Sequence, residues 1–175
     1  MKPALLALLF ATATAPGIAG CGYTLANAPH DALGPFTVRA AGATTPDAAV
    51  TAAAIEGAQR ELLRAGLLSA RGEGTALTIT VVRVDERSEG IARGADTAPI
   101  GRGIRLVIAG RALVRGRESA PARDSGEITV AEVFARSESA ALGIVGRSEA
   151  AERAGRRLGE RLVRRVLGEI DPGEP

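Results

Sequence analysis

The chain has 175 residues, 46% of them hydrophobic, 24% charged and only 2% aromatic, with a formal charge of +2. That length suits one domain with room for a real core, and near-neutrality argues against a generic nucleic-acid binder. A single histidine and a single cysteine exclude an internal disulfide and leave too few soft ligands for a zinc site.

Met1-Lys2 is a short cationic start, and Ala4 to Ala15 form an apolar stretch broken only by Thr12 and Thr14. Pro16-Gly17 ends it, which is the layout of a signal peptide; the apolar part is too short for a comfortable membrane span. Ile18-Ala19-Gly20-Cys21 follows. An ordinary signal-peptidase site places small residues at the last and third-last positions, and Ile18 breaks that rule. The four residues resemble a lipobox instead, in which the cysteine thiol is diacylated and the chain is cut before it. The alternative is a plain signal peptide followed by an incidental cysteine. Each acyl chain contributes roughly 0.8 kcal/mol per buried CH₂, so the diacylglycerol and acyl chains expected on Cys21 would hold the protein on a membrane. Those covalent lipids are the only non-protein group the sequence leads us to expect. Gly22, rather than an aspartate, follows the anchor, which favours the outer membrane. Lys2 is the only lysine among the 22 basic residues, so the chain after residue 20 carries 21 arginines against 20 acids.

The expected organisation is a cleaved signal (1–20), a lipidated tether (21–35), one domain (36–170) and a polar tail (171–175). Phe36 to Ala40 alternates and predicts a short strand. Thr45 as cap and Pro46 in the first turn start a helix whose apolar stripe is Thr51, Ala54, Ile55, Ala58, Leu62 and Ala65, with Gly66 as terminator. Leu77 to Val84 is a strand, and Asp85 to Gly103 reads as a long polar, glycine-rich loop. Ile104 to Arg115 is a second long strand, with Ile104, Leu106, Ile108, Ala112 and Val114 on one face and arginines on the other. Glu127 to Phe134 is a further strand. After a loose segment through Gly146, Ser148 to Ile170 forms a closing helix. Ala151, Gly155, Gly159, Leu162, Val166 and Ile170 share its stripe, flanked by Leu158 and Val163. Gly155 and Gly159 are expected to let this helix approach the sheet. The order β-α-β-β-β-α predicts an α+β fold, with two helices packed on one face of a mostly antiparallel four-stranded sheet.

A catalytic set is hard to assemble. His30 falls in the tether, Cys21 is consumed by acylation, and no serine has a base to activate it. Asp85, Glu86 and Glu89 read as a solvated loop, and Gly101-Arg102-Gly103 precedes a strand rather than a helix, so it is no phosphate loop. The chain is expected to be no enzyme, with no metal. Arg93, Arg102 and Arg105 are candidates for contact with an anionic lipid phosphate, against the plainer reading of a surface paired with Asp85, Glu86, Glu89 and Asp96.

Taken together the pattern resembles the LPS-assembly lipoprotein (LptE, rare lipoprotein B) family. The opening Cys21-Gly22-Tyr23-Thr24-Leu25 is similar to that family's Cys-Gly-aromatic-x-Leu start. A short strand, a helix carrying Glu61-Leu62-Leu63 before a glycine, three strands and a closing amphipathic helix follow in the family's order. Ala41-Gly42-Ala43-Thr44 stands where the family has an Asn-Arg or Asn-Thr signature. The resemblance implies a periplasm-facing outer-membrane plug and assembly partner of a large LptD-like β-barrel, aiding delivery of lipopolysaccharide, which such proteins also bind. The competing expectation is a structural or assembly lipoprotein of another envelope or secretion complex.

Overall fold

The computed structural model describes residues 34–42, 47–93, 99–115, 122–136 and 139–168, with only the backbone of 91–93 and 99–102. Strand β1 (Phe36–Ala40) leads to helix α1 (Ala48–Arg64), then strands β2 (Thr75–Arg93), β3 (Pro99–Val114) and β4 (Arg123–Ala135), and helix α2 (Ala140–Leu167). The expected β-α-β-β-β-α order and α+β class are therefore what the chain forms. The sheet runs β1-β2-β3-β4; β1 pairs parallel to β2, and the other neighbours are antiparallel.

Alternation along the strands builds the core. Leu77, Ile79 and Val81 of β2, Leu106, Ile108, Ala112 and Val114 of β3, and Val130 and Phe134 of β4 are all buried beneath the helices. From α1 come Val50, Ala54, Ala58 and Leu62; from α2 come Ala151, Leu158, Leu162 and Val166. Phe36 is pinned on both sides of its peptide, its N–H donating to the Leu67 carbonyl (2.7 Å) and its carbonyl accepting from the Ser69 N–H (2.9 Å).

The two helices run in the same direction. Asp47 meets Arg147 at one end, and Glu61 meets Arg164 near the other. Between those ties their backbones nearly touch. A Cβ on Gly57 would fall 2.1 Å from the Arg156 carbonyl oxygen, one on Gly159 2.0 Å from that of Ala54, and one on Gly155 2.7 Å from Ala53 Cβ. Gly155 and Gly159 thus serve helix-to-helix contact rather than the helix-to-sheet approach expected. The α1 stripe turns toward α2 accordingly: Val50, Ala53, Gly57 and Glu61 are buried, Ile55 is half-buried and Ala65 is exposed.

Three boundaries differ from expectation, each for a physical reason. Thr45 and Pro46 lie outside the described residues, and the cap of α1 is Asp47, whose Oδ1 accepts from the Ala49 and Val50 N–H groups at 3.0 and 3.1 Å. Most of Asp85 to Gly103 is not a loop: β2 and β3 continue as a hairpin as far as Arg93 and Pro99. Bulges after Val81 and around Gly90 to Arg93 reset the register, and beyond the first of them the helix-side residues of β2 are Val84, Glu86 and Ser88. With so little apolar residue to alternate, the strand signal fades. Helix α2 starts eight residues before Ser148, at Ala140, and ends at Leu167 because Gly168 adopts the left-handed conformation (φ 85°).

Candidate functional site

The end of the domain that carries the hairpin differs from the rest of its surface. Because α1 starts level with Arg147, the first two turns of α2 extend past it and cover the sheet alone. Beneath them lies a cleft of about 260 Å³ walled by Ile104, Phe134, Ala140, Gly143 and Ile144. Glu86, Arg136 and Arg147 provide its polar rim. The spacing 140, 143, 144, 147 puts one helix face over the cleft. The other sides of the same turns point outward, leaving Leu142 65% and Val145 53% exposed, and Ile144, which walls the cleft, is itself 69% exposed.

The rim is held electrostatically. Arg147 Nε donates to Glu86 Oε1 at 2.5 Å and Nη2 to Asp47 Oδ2 at 3.2 Å, tying α2, the hairpin and the start of α1 together. Hydrogen bonding to Glu86 raises the Arg147 pKa most, burial opposes it, and Asp47 adds to the rise. Arg136, by contrast, is exposed and has no ion-pair partner among the described residues.

Next to the cleft, β2 is an edge strand. β1 stops at Ala40, opposite Ile79, so from Val82 onward the outer edge of β2 has no strand partner among the described residues. Alternating charges clothe it: Arg83 pairs with Asp85 (3.1 Å), and Glu89 with Arg105. Such charges are a common guard against edge-to-edge association.

The residues singled out from the sequence do not come together here. Cys21, Ile18, Ala19, Gly20 and His30 lie outside the described residues. Arg93 and Arg102 occupy the far end of the hairpin, where only the backbone is described. Arg105 points to the helix-free face of the sheet and forms a two-pronged pair with Glu89. On that face Arg111 likewise grips Asp124. Ala109 lies among these side chains, flanked by Val107 and Arg111 on its own strand and opposite Arg83 and Thr129, with no exposed surface. Asp85 and Glu89 face this side and Glu86 the helical side, so the three acids do not form one pocket. Among the described residues, no three acidic, histidine or cysteine side chains cluster as metal ligands would.

The apolar cleft and the bare turns above it are not among the sequence expectations, in which residues 140–146 belong to a loose segment. A usable signal was present: Ala140-Ala141-Leu142-Gly143-Ile144-Val145-Gly146 has no polar side chain. Among the described residues no helix is long and apolar enough to cross a membrane.

No protein-family model matches the chain, and no curated protein is similar to it. Solved structures are. A candidate lipoprotein from Caulobacter crescentus CB15 superposes with a TM-score of 0.50 at 12% identity, covering 75% of this chain and 88% of that one. A minor lipoprotein from Acinetobacter baumannii gives a TM-score of 0.49 at 13% identity, covering 78% and 92%. At this identity the Caulobacter likeness is one of fold alone.

Proposed function

We propose that this chain is a lipid-anchored envelope protein that serves as plug and assembly partner of the lipopolysaccharide translocon barrel, aiding insertion of lipopolysaccharide into the outer leaflet. The observation that carries this reading is the position of the domain. A β-α-β-β-β-α unit begins fifteen residues behind a lipobox cysteine that opens Cys21-Gly22-Tyr23-Thr24-Leu25. That element order is the one the family resemblance implies, and the Caulobacter protein with the same fold is described as a lipoprotein.

Function here is attachment and binding rather than catalysis. Gly34 lies thirteen positions along the chain from Cys21, so the anchor keeps the domain within about 45 Å of the outer membrane, on its periplasmic side. Lipopolysaccharide is the anionic ligand of this reading. At Arg105 a phosphate would have to displace Glu89.

Detergent extraction of the tagged full-length protein from cells that make lipopolysaccharide, followed by affinity pull-down, tests the assignment. A large outer-membrane barrel should co-purify. Recovery without one would transfer the assignment to a structural or assembly lipoprotein of another envelope complex. Cys21→Ser should leave an uncleaved, unlipidated precursor; an unmodified N-terminus on the processed wild type would remove the anchor and the translocon reading together.

A further inference from the structure

We infer that the first two turns of α2, with the cleft beneath them, are a docking surface for a protein partner that brings an apolar segment to Leu142, Ile144 and Val145 and an acidic group to Arg136.

A helix that is apolar around its whole circumference belongs in an interior. Ala140 to Gly146 is such a stretch, yet α1 does not reach it and only one of its faces lies on the sheet. Six large apolar side chains are exposed among the described residues, and three of them fall within these four positions, 142 to 145. That is a patch, not scatter. Gly143 and Gly146 further weaken the two turns as an isolated helix, so a covering surface would both hide and firm them.

The features of the site select the occupant. A cleft of about 260 Å³ accepts one or two apolar side chains and falls below the size usual for whole small-molecule ligands. Arg136 stands at its rim with no acid to meet it among the described residues, and the first turn of α2 contains no acid either. An acidic group on the partner would meet both the arginine and the positive end of the helix. Location favours a protein over the anchoring bilayer. Val114 of β3 sits level with Leu77, near the start of β1, and Ile104 lies ten residues, roughly 33 Å, further along β3. The patch is thus at the end opposite the tether. Identifying the partner as the barrel subunit rests on the reading under Proposed function.

The test places a photo-crosslinking phenylalanine analogue at Leu142 in the full-length lipidated protein in cells, with Leu63, 66% exposed near the far end of α1, as control. Position 142 should crosslink to the barrel and position 63 should not. Leu142→Glu should cut barrel recovery at least tenfold with an unchanged melting temperature, since a first-turn glutamate suits a helix N-terminus. Val145→Gln provides the same readout should the glutamate variant melt early. Crosslinking to lipid, to lipopolysaccharide or to a second copy would overturn the inference. So would absence of any crosslink while the wild-type pull-down still yields the barrel, and the proposed function would then survive. A wild-type pull-down without a barrel would defeat both.

Discussion

A single methyl group tests how α1 and α2 are joined. In Gly159→Ala the new Cβ would lie 2.0 Å from the Ala54 carbonyl oxygen and 2.7 Å from the Ala58 nitrogen, both backbone atoms with no rotamer to escape through. Ordinary contact requires the helices to part locally by about 1.5 Å, which loosens the seam of Ala54, Ala58, Leu158 and Leu162. Overpacking of this kind costs about 1–3 kcal/mol, and rigid backbone on the far side puts the cost at the upper end. Alanine's higher helix propensity returns about 1 kcal/mol, leaving a net loss of about 2 kcal/mol. For a domain of this size that lowers the melting temperature by roughly 4–8 °C. The identical change at Gly143, where an added Cβ meets nothing within 4 Å, keeps only the propensity gain and should raise melting by roughly 2–4 °C. Thermal and urea unfolding followed by circular dichroism would measure both variants side by side. Shifts of the same sign, or a Gly159→Ala protein as stable as wild type, would refute the glycine seam.

Glu61 is buried, its side chain bound by Arg64 (Oε1 to Nη2, 2.6 Å) and Arg164 (2.8 Å). Hydrogen bonding from Arg64 lowers its pKa most, burial opposes this, and Arg164 lowers it further. A carboxylate with a lowered folded-state pKa stabilises fully above its unfolded value, about 4.3, and that contribution fades as pH falls through the lower folded value. Glu61→Gln should cost about 1–3 kcal/mol at neutral pH and flatten the acid limb of a stability profile below about pH 4.3; an unchanged limb would show that other carboxylates dominate it. Asp47→Ala removes the α1 cap and the Arg147 pair and should cost about 1–2 kcal/mol in urea unfolding, whereas Asp47→Asn, which keeps the capping oxygen, should lose clearly less.

Legibility of this sequence followed from where apolar residues alternate against a covered surface. The inward residues of β3, from Ile104 to Val114, lie under the helices, and their alternation alone marks the covered face. The α2 stripe from Ala151 to Val166 was equally plain, since the arginines of that helix face away from it. The hairpin beyond Val84 was not legible: α1 does not reach this part of β2, and Glu86 and Ser88 replace the apolar side chains that would have marked it. Ala140 to Gly146 failed for the opposite reason, because with no polar side it shows no helical period. The spacing of Gly155 and Gly159 signals close packing, but spacing alone does not say whether a sheet or another helix approaches. The lipobox motif at Ile18 to Cys21 lies outside the described residues, and the cleft, assembled from Ile104, Phe134 and Ile144 on three separate elements, has no local signature.

The parallel pairing of β1 with β2 also has a mechanical consequence. On the anchored reading, any pull from the bilayer enters the domain at Pro35-Phe36, at the start of the strand that comes directly after the tether. If the hairpin end is held by a partner, tension runs along the strand axis. The β1–β2 rungs from Phe36 to Ala40, with the Phe36 clasp to Leu67 and Ser69, are then loaded together in shear instead of being unzipped one by one. Five residues at the edge of the sheet thereby become the fixture through which membrane movement is passed to the rest of the molecule.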